Sequence, residues 1–126
     1  MYTQSRKYTS AKKTKYGDSV YDSKFEAGVA QELTFRQAAG ELLSFEKQVR
    51  IPLVVNGYQI ADYYIDFVAY RKDGVTEYIE AKGWPTPIWR MKWAIFEALY
   101  SDLADVELRV IWQGKRKRLR KIKKYV

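Results

Sequence analysis

The chain has 126 residues, of which 47% are hydrophobic and 16% aromatic, enough for one compact domain with its own core. Cysteine and histidine are both absent, which excludes disulfides, thiolate and imidazole metal sites, and every Ser-His or Cys-His mechanism. The formal charge is +8, from 23 basic and 15 acidic residues, so any chemistry falls to carboxylates, lysine or tyrosine in a chain that favours polyanions.

The basic residues gather at the two ends. Arg6, Lys7, Lys12, Lys13 and Lys15 precede Gly17, and 8 more lie between Lys115 and Lys124, whereas Gly17 to Gly114 holds all 15 acidic residues and only 10 basic ones. The expected organisation is a basic flexible arm over residues 1–16, a central domain over 17–114 and a basic tail over 115–126. Cationic ends around a carboxylate-rich body suit a protein that grips nucleic acid while keeping an acidic site for metal; the plainer reading of such runs is a solvated tail. No stretch approaches the roughly 20 apolar residues of a membrane span, and Met1 to Lys15 lacks the apolar core of a signal peptide, so a cytoplasmic location is expected and no membrane contact.

After the arm, a helix is predicted from Asp22 or Ser23, with Phe25, Val29 and Leu33 forming an apolar stripe and Gly40 as its stop. Phe45 to Val55 reads as a strand with Pro52 suited to an edge, and Asn56-Gly57 as a two-residue hairpin turn into a strand from Tyr58 to Tyr70. A second reversal at Lys72-Asp73-Gly74 leads to a strand from Val75 to Lys82. Gly83 to Pro87 breaks it, and a second helix follows, capped by Thr86 and Pro87 and ridged by Trp89, Trp93, Phe96 and Tyr100. Val106 to Trp112 reads as the last strand. The order αβββαβ predicts an α/β fold, a mixed β-sheet with flanking helices whose last strand arrives by a crossover.

On a strand, Glu80 and Lys82 share one face about 7 Å apart, with Ala81 pointing to the other. Whether Asp66 joins that face depends on the loop between the strands. A two-residue turn at Asp73-Gly74 places Phe67 opposite Glu80 and sends Asp66 away; a three-residue loop, Lys72 to Gly74 with Gly74 left-handed, places Asp66 opposite Glu80. Two facing carboxylates repel unless a cation lies between them, and a set of oxygen ligands with no nitrogen or sulfur points to Mg²⁺, with Mn²⁺ able to substitute. Lys82 would then stabilise the attacking hydroxide and the charge at phosphorus. The competing reading is an exposed cross-strand charge pattern, which the apolar flanks Tyr64-Ile65 and Phe67-Val68 oppose. Asp62 has the same parity as Asp66 but lies nearer the Asn56-Gly57 turn.

The run Tyr21-Asp22-Ser23-Lys24-Phe25-Glu26, then Gln48, Tyr64-Ile65-Asp66-Phe67 and Ile79-Glu80-Ala81-Lys82-Gly83, resembles the small phage-type endonucleases of the PD-(D/E)XK superfamily. The resemblance covers Tyr16 to Trp112. It implies a restriction-endonuclease-like core, a bacterial or phage-infected host cell, and a metal-dependent DNA endonuclease with catalytic residues Asp66, Glu80, Lys82 and Glu26. Of these, Asp66, Glu80 and Glu26 would hold the metal. Ile65 stands where the motif has proline. Similar ordered elements occur in Holliday junction resolvases of the archaeal type and in the nuclease of Tn7-like transposition, so the chemistry is implied more firmly than the substrate.

Glu26 has a rival role, because Ser23 to Glu26 is also a capping box in which the carboxylate bonds back to the helix start. For DNA contact the candidates are Lys12, Lys13, Lys15, Lys24, Gln48, Trp84, Arg90, Lys92, Lys115, Arg116, Lys117 and Arg118, each of which also reads as ordinary solvated surface. The stripe of aromatics on the second helix reads as core rather than as a platform for bases. The expected activity is hydrolysis of phosphodiesters in DNA, structure-selective on branched substrates, with a homodimer suited to symmetric cutting. The alternatives are a non-catalytic DNA-binding module on the same fold, a subunit active only inside a larger complex, and a basic protein-interaction domain.

Overall fold

The computed structural model describes residues 14–16, 19–21, 24–114 and 122–125, the first two stretches as backbone. Two short strands, β1 (Thr14–Tyr16) and β2 (Ser19–Tyr21), pair antiparallel ahead of helix α1 (Lys24–Ala38). Then follow β3 (Leu42–Val55), β4 (Tyr58–Arg71), β5 (Thr76–Lys82), α2 (Pro87–Tyr100) and β6 (Val106–Trp112). The α/β order expected from the sequence is present, with a small β1–β2 hairpin added across the expected boundary between arm and domain; its Thr, Tyr and Val content favours strand. Among the described residues no helix is long and apolar enough to cross a membrane.

The main sheet has the order β3-β4-β5-β6. Its first three strands are antiparallel, and α2 carries the chain across to a β6 that runs parallel to β5. Each reversal has a local cause. Asn56 and Gly57 take φ of 52° and 85°, the left-handed pair that a two-residue hairpin turn demands. Gly40, at φ 83°, ends α1 by letting the N–H groups of Gly40 and Glu41 reach back to the carbonyls of Gln37 and Arg36. Thr86 caps α2 by accepting the N–H of Trp89 at 3.2 Å, with Pro87 in the first turn.

Between β4 and β5, Arg71 N–H bonds the carbonyl of Val75, which leaves Lys72, Asp73 and Gly74 as a three-residue loop with Gly74 at φ 95°. That loop sets the register: Phe67 faces Ile79 and Tyr70 faces Thr76, so Asp66 falls level with Glu80.

Helices cover both faces of the sheet. Ala27, Val29, Ala30 and Leu33 of α1 pack on Leu42, Phe67, Ala69 and Ile79, while Trp89, Trp93 and Phe96 of α2 pack on Ile51, Leu53, Tyr63, Ile65 and Val68. Strand period two should keep Tyr63, Ile65, Phe67 and Ala69 on one side, yet the first two face α2 and the last two face α1. The same change of side runs through β3 between Phe45 and Val49, where Gln48 sits at φ 52°. The sheet thus exchanges its faces across Gln48 and Asp66.

Candidate functional site

The β4–β5 ladder stops at Phe67 and Ile79, one position short of Asp66. Beyond that point Asp66 supplies the acceptor itself: its Oδ2 takes the backbone N–H of Ala81 at 2.8 Å, and its Oδ1 takes Gln48 Nε2 at 3.0 Å. The same amide lies 3.4 Å from Glu26 Oε1, so α1 is tied to the site through Gln48. The left-handed backbone of Gln48 thus coincides with a side chain that joins two carboxylates.

Glu80 lies on the α2 side of β5 and is only 3% exposed. Tyr63 donates its hydroxyl to Glu80 Oε1 at 2.5 Å, and the indole N–H of Trp89 donates to that hydroxyl at 3.3 Å. Lys82 Nζ lies 3.6 Å from Glu80 Oε2 and 4.7 Å from the centre of the Trp89 ring, a cation–π contact. Ala81, between the two charged residues, packs on the α1 side as the strand period requires.

Burial, reinforced by the negative charge of Asp66, pushes the Glu80 carboxyl up to about 8, against the opposing pull of Tyr63 and Lys82. Without a cation Glu80 therefore keeps a proton at neutral pH. Burial and the nearby Glu80 also push the Tyr63 hydroxyl well above its ordinary value, which keeps it a donor. Asp66 and Glu80 form an all-oxygen pair suited to a hard divalent ion. Among the described residues no three acidic side chains gather in the grouping a metal ion would need, and Glu26 stands at one remove behind Gln48.

The other candidates divide by position. Gln48 lies in the site. Trp84, 73% exposed, and Arg90 lie on the surface in the loop and first helical turns after Lys82, and Lys24 is exposed at the start of α1. Lys92 donates to the backbone carbonyl of Asp62 at 2.9 Å. Asp62 pairs with Arg50 at 2.9 Å and accepts from Gln59 at 2.7 Å, away from the carboxylate pair. Ser23, the expected cap of α1, lies outside the described residues, as do Lys12, Lys13, Lys115, Arg116, Lys117, Arg118 and the side chain of Lys15.

Tyr63 and Trp89 are the site residues that sequence reasoning missed. A strict two-residue period puts Tyr63 on the face away from Glu80; only the exchange of faces at Asp66 brings them together.

A family model described as "Protein of unknown function (DUF1064)" matches residues 5–121. No curated protein and no solved structure matches the chain.

Proposed function

The chain belongs to the DUF1064 family, and we propose that it is a divalent-metal-dependent endodeoxyribonuclease with a restriction-endonuclease-like core. The observation that carries this reading is the opened ladder at Asp66. There two carboxylates from adjacent strands stand level, one buried and raised in pKa by that burial, with an ammonium group 3.6 Å from it. A structural ion pair has no use for the second carboxylate, whereas a bound cation would take the place of the proton on Glu80 and let both carboxylates ionise.

Asp66 and Glu80 would hold Mg²⁺ or Mn²⁺, with Glu26 assisting from behind Gln48. Such an ion, when bound, polarises a phosphoryl oxygen and lowers the pKa of water. The protein's own part is positioning. Gln48 and the Ala81 N–H fix the Asp66 carboxylate. Lys82, steadied over Trp89, keeps its charge at the mouth of the site to offset the negative charge that grows on the phosphate as the bond breaks. Trp84 and Arg90 would meet the DNA beside the site, and the basic residues of both termini would hold its backbone independently of sequence. Branched DNA is the preferred substrate in this reading, cut symmetrically by a homodimer.

Supercoiled plasmid incubated with Mg²⁺ should be nicked or linearised, and a labelled four-way junction should be cut faster than linear duplex. Asp66→Asn, Glu80→Gln and Lys82→Ala should each lower cleavage by at least about 100-fold while leaving DNA binding in place. DNA that is shifted in a gel yet stays intact with every divalent ion tried would instead identify a binding module.

A further inference from the structure

Trp89 reads from the sequence as core, yet its ring carries two different contacts to the site. Its edge N–H donates to the Tyr63 hydroxyl, and its face lies 4.7 Å from Lys82 Nζ. Tyr63 in turn holds Glu80 Oε1, so Glu80 and Lys82, the two charged site residues of β5, are both braced by one α2 side chain, Glu80 through a tyrosine.

Tyr63 and Trp89 are enclosed by aromatic rings. The Tyr63 ring meets Trp93 edge-on at 6.3 Å and Phe96 at 5.4 Å, and Trp89 stacks on Trp93 at 5.9 Å. Tyr63 is 3% exposed and Trp89 is 7% exposed. A hydroxyl so enclosed has its position set by the core, and it transmits that position to the carboxylate it holds. The result is directional: Oε1 is fixed by Tyr63, and Oε2 is the oxygen turned toward Lys82. Partners of this kind fix the orientation of a metal-binding carboxylate, and their loss typically costs roughly 10–100-fold in metal affinity.

We infer that Tyr63 and Trp89 are positioning residues of the proposed metal site: Tyr63 sets the carboxylate of Glu80, and Trp89 sets both Tyr63 and Lys82. The inference rests on the nuclease reading above, and two conservative substitutions separate its parts. Tyr63→Phe keeps the ring and removes the hydroxyl. Trp89→Phe keeps an aromatic face near Lys82 and removes the N–H.

Mn²⁺ binding to the full chain, followed by titration calorimetry without DNA, tests this. Tyr63→Phe should weaken Mn²⁺ binding by about tenfold or more, and Trp89→Phe by a smaller factor, with both variants keeping the wild-type circular dichroism spectrum. Asp66→Asn should abolish binding. Wild-type affinity in a folded Tyr63→Phe would overturn the inference and leave the nuclease reading standing. If wild type itself bound no Mn²⁺, the metal reading would fall and this inference with it. Should Tyr63→Phe lose its fold, Trp89→Phe decides alone, and an affinity equal to wild type there would overturn the inference.

Discussion

Asp66 Oδ2 accepts the backbone N–H of Ala81 at 2.8 Å, so the side chain of one strand completes the hydrogen bonding of the next at the point where their ladder ends. This contact holds the two halves of the candidate site together, because Ala81 lies between Glu80 and Lys82. It also explains how an acidic residue can sit amid the buried Ile65, Phe67 and Val68 without leaving the backbone beside it unsatisfied.

The raised pKa of Glu80 makes stability depend on pH. In the unfolded chain this carboxyl ionises near 4.5, and in the folded protein at about 8, so between those values the folded state binds the extra proton. Metal-free protein should lose stability as pH rises across that window, by an amount on the order of 4 kcal/mol. Glu80→Gln, which cannot ionise, should remove that fall. Urea unfolding in a chelator at pH 5 and pH 8.5 measures it, and identical pH trends for the two proteins would contradict the assigned cause.

Gly74 sets the register on which the site depends. At φ 95° a side chain is strained, although nothing lies within 4 Å of the position a Cβ would take, so the cost falls on the backbone alone. Gly74→Ala should destabilise the protein by about 1–2 kcal/mol, and Gly74→Asn by less, since asparagine tolerates positive φ. Equal midpoints for glycine and alanine in urea would show that the loop does not require this conformation.

At the loop end of the sheet, Arg36 grips Glu77 with both terminal nitrogens, at 3.1 and 2.5 Å, and Glu77 is 2% exposed. Arg36 also reaches Glu41 at 2.8 Å, joining α1 to β5 and to the start of β3. Arg36→Ala should cost about 3–5 kcal/mol, because among the described residues it leaves the buried carboxylate with Arg71, at 3.8 Å, as its remaining ion-pair partner. An unfolding free energy within about 1 kcal/mol of wild type would show that the pair is replaceable.

Much of this arrangement was legible in the sequence, for local reasons. Asn56-Gly57, Gly40 and the Thr86-Pro87 cap act through their own backbone preferences, whereas the sequence left a two-residue turn and a three-residue loop open before β5, and the observed Lys72 to Gly74 loop is what brings Asp66 level with Glu80. The exchange of faces was not legible, because glutamine does not advertise positive φ, and without the turn at Gln48 the strand period misplaces Tyr63. Trp89 was hidden for another reason: its helical spacing is that of a core residue, which it also is. The role of Glu26 stood between cap and site, and the structure links its carboxylate to Gln48 at 3.4 Å.

In the proposed nuclease Asp66 and Glu80 share one divalent ion. Anomalous scattering from crystals soaked in Mn²⁺ measures this directly. A single strong peak is expected within coordination distance of both carboxylates, absent from Asp66→Asn crystals treated alike. Density at neither carboxylate, or an ion bound elsewhere with Asp66 and Glu80 turned apart, would contradict it.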